Sequence, residues 1–214
     1  MTGITVKELL EATGGNLLHG QEDQHVKHIS LDSRTMEGDD LFVPIVGERV
    51  DAHRFLCQAI ASGAAVVFTS EHHCGEDVKA CVRQQCGENR EQERKALQAA
   101  WIEVRDTKKA LQDLGSFCRK SLSLPLVGIT GSVGKTTTRE MIAEALSAGF
   151  KVYKTPGNSN SQVGVPITIA EIPQSAEIGV IELGMSEPGE MERIARVARV
   201  DCAVMTNIGI AHIE

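Results

Sequence analysis

Residues 124–139, LPLVGITGSVGKTTTR, constrain this chain more than any other stretch. A short apolar run ends in a glycine-punctuated loop, and Lys135 with three threonines leads from it into a helical pattern. That is the layout of a phosphate-binding loop. Backbone N–H groups from Gly131 through Ser132, Val133 and Gly134 to Lys135 would point into one small volume. The helix that follows would add its positive N-terminal end. Lys135 offers a mobile charge to outer phosphates, and the Thr136 hydroxyl a ligand for Mg²⁺. The standard spacing, G-x-x-x-x-G-K-[ST], would place the first glycine at 129, which is Ile129; Gly128 falls one place early. What remains is Gly131-x-x-Gly134-Lys135-Thr136. The plain alternative is a strand–turn–helix junction whose glycines only make the bend, but such a turn does not ask for G-K-T after a buried strand.

The chain around the loop alternates strand and helix. Strands are expected over 124–129, 151–154, 178–182 and 202–206. Helical patterns are expected over 107–121, 136–147, 163–171 and 190–199, the last capped by Ser186 with Pro188 at its start. Such alternation makes a mostly parallel sheet with helices on both faces, and ligands sit at the carboxyl ends of its strands. Upstream, Thr5 can cap a helix over 6–13 that Gly14 and Gly15 stop. A strand is expected over 26–31. Pro44 marks the apolar run 41–46 as an edge strand. Asp51 can cap a helix over 52–62, and 64–70 reads as a buried strand. Residues 71–98 are charged and polar and read as a solvated, partly helical insertion. Strand character returns at 101–104. The fold class is α/β: a small N-terminal α/β domain over 1–106, carrying the insertion, then a phosphate-loop domain over 107–214.

A net charge of −7 weighs against a nucleic-acid partner. The N-terminus lacks the pattern of a signal peptide, and no apolar run approaches a membrane span. A soluble, cytoplasmic protein is therefore expected. Without a secretory signal the six cysteines should be reduced thiols. Cys74, Cys81 and Cys86 lie near His72 and His73, but their spacings fit no standard zinc module.

Other polar residues follow the strands. Glu182 closes an apolar strand, where a nucleotide-binding domain places a metal-facing carboxylate; a solvent-facing strand-end acid is the alternative. Asn158 and Asn160 belong to a Gly/Ser/Asn loop that either turns the chain or touches ligand. His212 lies at the same sheet edge and could serve metal or water, or be an ordinary surface histidine. Ser33 and Arg34 offer a hydroxyl and a guanidinium after a strand, suited to a phosphate or carboxylate. An exposed turn is the simpler reading for them, as for Asp51 and His53.

GITGSVGKTTT, TPGNSNSQVGVPIT, VIELGMSEPGEM and AVMTNIGIAHIE occur here in this order, and together they resemble the Mur ligase family. DSRTMEGDDLFVPIVGERVDAHRF resembles that family's uridine-nucleotide-binding domain. The resemblance implies an ATP- and Mg²⁺-dependent ligase of peptidoglycan precursor synthesis. The loops are most similar to the branch that adds D-alanyl-D-alanine to UDP-N-acetylmuramoyl-tripeptide. ATP would phosphorylate the peptide's terminal carboxylate, and the dipeptide amine would attack the acyl phosphate. Lys135 and the backbone of Ser132 to Thr137 would bind the phosphates. Thr136 and Glu182 would serve Mg²⁺, with His212 at a second metal position. Ser33 and Arg34 would contact the uridine nucleotide, and Asn158 and Asn160 would lie between ATP and the muramoyl substrate.

The chain departs from the family pattern at Ser161, where an asparagine is usual, and at Ala52, where a glycine is usual. It also stops inside a motif at Glu214, so the resemblance implies a truncated ATPase domain in a fragment inactive by itself. A cytoplasmic monomer with no membrane insertion is expected. Two alternatives stay open: the ligase that adds the third residue, and a non-catalytic nucleotide-binding protein of the same fold.

Overall fold

The structure, a computed structural model, describes residues 3–70, 72–74 and 77–209. The chain divides into two compact units, Met1–Leu111 and Gln112–Glu214. Among the described residues no helix is long and apolar enough to cross a membrane.

The first unit runs β1 (Ile4–Thr5), α1 (Val6–Thr13), β2 (Asn16–His19), β3 (His25–Val26), β4 (His28–Ser30) and β5 (Asp40–Phe42). A 3-10 turn (Ala52–Phe55), α2 (Leu56–Ser62), β6 (Ala64–Ser70), α3 (Val78–Cys86), α4 (Arg90–Ala96) and β7 (Ala100–Val104) follow. Thr5 and Glu8 form a capping box at the start of α1, and Gly14 ends it in the left-handed region. Five strands pair in the order β2-β7-β6-β5-β4, all parallel except the β2–β7 edge. Strand β2 was not expected; only Leu17 and Leu18 in it are apolar, too few to show a period.

Three expectations are corrected here. The strand expected over 26–31 is two strands: Val26 pairs with Ile4 in a small antiparallel sheet, while His28–Ser30 joins the large one. Strand β5 is interior rather than an edge, lying between β4 and β6. It ends at Phe42, before Pro44, so the proline's missing N–H costs the ladder nothing. Residues 71–98 are not simply solvated. Helices α3 and α4 bury Val78, Cys81, Val82, Cys86 and Ala96 in one cluster with Phe42, Leu56, Val67 and Trp101. The Trp101 indole N–H, fully buried, donates to the Ala96 carbonyl at 2.9 Å. The polar residues visible in sequence are the outer face of helices that wall the core.

Helix α5 (Thr107–Ser121) spans the point of division. The second unit continues with β8 (Leu126–Thr130), α6 (Lys135–Ser147), β9 (Val152–Lys154), α7 (Gly164–Ala170), β10 (Ile178–Glu182), α8 (Glu190–Ala198) and β11 (Cys202–Met205). Its four strands are all parallel, in the order β11-β8-β10-β9. Leu126, Ile181 and Leu183 pack with Val165 and Ile169 of α7 and Ile194 and Val197 of α8. Ile129 and Val180 pack with Ala143 of α6. Helices therefore cover both faces, and β8 and β10 form the centre. Ser186 does not cap α8: Gly189 holds that position, and the Glu190 carboxylate accepts from Ser186 N at 2.6 Å and Glu187 N at 3.1 Å. The acid at the first helical position reaches back and satisfies amides of the preceding loop, while α8 itself has no side-chain cap.

Candidate functional site

The site of the second unit lies at the carboxyl ends of the central strands β8 and β10. The chain leaves β8 through Gly131, whose φ is 135°. A Cβ there would stand 2.1 Å from Thr206 Oγ1 and 3.0 Å from Asn207 N, so glycine is required by conformation and by space. Gly134, at φ 82°, occupies the N-cap of α6 with no side-chain cap. The amides of the first turn are thus left for something else to bond.

The loop is shaped from outside. Thr206 Oγ1 donates to Val133 O at 2.6 Å, Val133 N donates to Asn207 Oδ1 at 3.1 Å, and Ser132 N to Asn207 O at 3.3 Å. Ser132 Oγ donates to Gly209 O at 2.7 Å. Lys135 folds back over the loop, its Nζ donating to Gly131 O at 2.7 Å. In front lies an open cleft of about 640 Å³, lined by 132–137, Asn158, Asn160, Glu182 and the residues after β10.

Glu182 is 1% exposed. A carboxylate so buried must be paired and hydrogen-bonded to stay charged. Arg139 Nη1 donates to its Oε2 at 3.1 Å, Thr136 Oγ1 to the same oxygen at 3.0 Å, and Asn160 Nδ2 to Oε1 at 2.7 Å. Thr155 Oγ1 accepts from Glu182 N at 2.8 Å. Arg139 also donates to Gly157 O at 2.8 Å, tying α6 to the asparagine loop. The sequence reading passes over Arg139. The signal was there: Thr136 and Arg139 lie three apart on one helix, so the face that carries the loop threonine also carries the arginine. The structure therefore brings Lys135, Thr136, Asn160 and Glu182 together. Asn158 lines the same cleft but is exposed. His212 lies outside the described residues.

In the first unit, Ser33 is buried and Arg34 exposed in the turn after β4. Arg34 grips Asp32 with two nitrogens, Nε to Oδ1 at 2.9 Å and Nη2 to Oδ2 at 2.6 Å. These contacts hold the Asp32 carboxyl down at about 2. All six cysteines are free, and among the described residues none belongs to a three-ligand metal cluster. Asp51, His53 and His73 do: Asp51 accepts from the ring nitrogens of both histidines, at 2.7 and 2.5 Å.

Comparison with known proteins covers both units. The model described as "Mur ligase family, catalytic domain" matches residues 25–118, and "Mur ligase middle domain" matches 129–214. A UDP-N-acetylmuramoyl-tripeptide–D-alanyl-D-alanine ligase of Bacillus subtilis is 37% identical over 211 residues, covering 98% of this chain and 42% of its own length. The ligase of the same name from Treponema pallidum is 40% identical over 188 residues, covering 86% of this chain and 38% of its own. Among solved structures, MurF from Acinetobacter baumannii superposes with a TM-score of 0.79 at 32% identity, over 99% of this chain and 42% of that one. MurF ligase from Thermotoga maritima, in complex with ADP, gives 0.68 at 30% identity, over 88% and 39%. The chain thus spans about two fifths of the length of these relatives.

Proposed function

This chain belongs to the Mur ligase family, and from that premise we propose that it carries the uridine-nucleotide and ATP-phosphate sites of a ligase joining D-alanyl-D-alanine to UDP-N-acetylmuramoyl-tripeptide. The observation that carries the reading is the cleft in which Lys135, the free amides of α6, Thr136 and Glu182 face one volume. A triphosphate laid on those amides meets Lys135 at its outer end. Thr136 and Glu182 present oxygen donors 3.0 Å apart, which suits a hard divalent ion. Mg²⁺ there would offset charge on the transferred phosphoryl group. His212 is assigned to a second metal position by resemblance.

In the reaction, a peptide carboxylate oxygen attacks the γ-phosphorus and ADP leaves. The dipeptide amine then attacks the acyl carbon; the C–N bond forms, phosphate leaves and the amine gives up a proton. Lys135 and the amides at the start of α6 hold the phosphates in line and spread their charge. Asn158 and Asn160 stand where the muramoyl peptide meets the nucleotide, and Ser33 with Arg34 serves the uridine diphosphate. Arg34 would exchange Asp32 for a phosphate, a bidentate partner of the same geometry. The reading makes the protein a cytoplasmic monomer with no nucleic-acid partner.

Calorimetric titration tests it. Lys135→Ala should weaken MgATP binding by on the order of 10–100-fold, the loss of one charge-assisted contact. It should leave UDP-N-acetylmuramoyl-tripeptide binding unchanged. Equal MgATP affinities in the two proteins would overturn the assignment.

A further inference from the structure

We propose that Asp51, His53 and His73 of the first unit form a binding site for one divalent cation of the zinc class. The inference does not rest on the ligase reading. Asp51 caps the 3-10 turn that contains His53, and His73 follows the end of β6. One ligand atom from each residue lies within 4.8 Å of the others. The two imidazoles are stacked, with centroids 3.7 Å apart and planes 11° from parallel. A single carboxylate serves both rings, Oδ1 at 2.7 Å from His53 Nδ1 and Oδ2 at 2.5 Å from His73 Nε2.

One further observation points to a cation. Among the described residues Asp51 pairs only with imidazoles and with no lysine or arginine. The nitrogens that meet its carboxylate, His53 Nδ1 and His73 Nε2, are the two that would ligate beside it. Their protons would then sit on the other ring nitrogens, His53 Nε2 and His73 Nδ1, the latter facing Ser70 Oγ.

The donor set selects the metal. Two imidazole nitrogens and one carboxylate oxygen suit Zn²⁺, whereas Mg²⁺ and Ca²⁺ prefer oxygen alone. Three protein ligands leave a fourth position for water. Ser70 Oγ, 2.6 Å from His73 Nδ1, already orients that ring as an outer partner does. Coordination needs lone pairs that converge, so the near-parallel rings must fan apart. His73 has room to turn: its side chain is 26% exposed. Metal binding should therefore unstack the pair.

The test is titration of the full chain with Zn²⁺ against a chromophoric chelator, with the thiols kept reduced. One equivalent should bind. Asp51→Asn and His73→Gln should each weaken binding by on the order of 10–100-fold, while His25→Gln, outside the cluster, leaves it unchanged. Excess Mg²⁺ should not compete. The Hε1 resonances of His53 and His73 should shift on loading. Co²⁺ in place of Zn²⁺ should show ligand-field bands without a thiolate charge-transfer band. That last readout matters because Cys81 Sγ lies 3.8 Å from His73 O. Zn²⁺ uptake unchanged in both variants, with circular dichroism showing them folded, would overturn the proposal. So would a thiolate band that Cys81→Ser abolishes.

Discussion

Two carboxylates anchor the two polar clusters, and they keep different company. Glu182 is almost fully enclosed and is held by Arg139, a cation that no ordinary pH removes. Asp51 is half-buried and is held by two imidazoles and a backbone N–H. The first arrangement is enclosed and fixed. The second is compliant: its His73 side chain is 26% exposed and can turn.

The largest effect that would sharpen this contrast is at Arg139. Arg139→Met leaves Glu182 buried without its cation and should cost about 3–5 kcal/mol, read as a drop in the urea midpoint of the second unit. Adding Glu182→Gln should recover much of that loss. A single variant costing under about 1 kcal/mol would show that the pair is not what holds the carboxylate.

Next comes Gly131→Ala, which forces a side chain into the left-handed region and against Thr206. A cost of about 1–3 kcal/mol is expected, with weakened MgATP binding. Gly149→Ala, where an added Cβ meets nothing, should be neutral or slightly stabilising. Similar melting curves for the two alanine variants would break the claim that the loop is sterically fixed.

Asp51→Asn should cost about 1–2 kcal/mol near neutral pH. Burial works to raise the Asp51 pKa, but hydrogen bonds from the His53 backbone and from both imidazoles outweigh it and hold the carboxyl at about 2. A carboxyl depressed in the folded state stabilises above its unfolded value, about 3.9, and loses that contribution as pH falls through the folded value. The difference between wild type and Asp51→Asn should therefore persist at pH 5 and shrink between about pH 4 and 2. His53 acts earlier. Burial pushes its pKa below the ordinary value, against the pull of Asp51. Its stabilising contribution is complete above about pH 6.5 and declines as pH falls below it. Chemical denaturation at several pH values separates the two windows.

The smallest effect is at Arg34. Its ion pair with Asp32 is exposed, so Arg34→Ala should leave the urea midpoint of the first unit nearly unchanged. UDP-N-acetylmuramoyl-tripeptide affinity should fall nonetheless. A stability loss without an affinity loss would reverse the role proposed for this residue.

The two clusters were not equally readable in the sequence. Gly131, Gly134, Lys135 and Thr136 are consecutive or nearly so, and one local geometry explains them together. The strand 178–182 was plain because a fully apolar run ends in Glu182, and the observed β10 has those bounds. Arg139 was missed because an arginine on a helix usually faces solvent; only its tertiary partner buries it. Asp51 and His73 lie twenty-two positions apart and meet because β6 carries the chain back past the 3-10 turn. No local pattern encodes such a meeting. Helices α3 and α4 were hidden for another reason: their buried faces are a few small side chains, and the charged majority of 88–95 dominated the composition.

Thr206, Asn207 and Gly209, just beyond β11, close on the loop after β8, so β8 and β11 together set its shape. The loop's shape thus depends on β11, whose Cys202, Ala203 and Met205 are exposed. Anything bound there clasps that edge from within. Amide hydrogen exchange should record this as slowing at β11, beyond the ligand's own contacts.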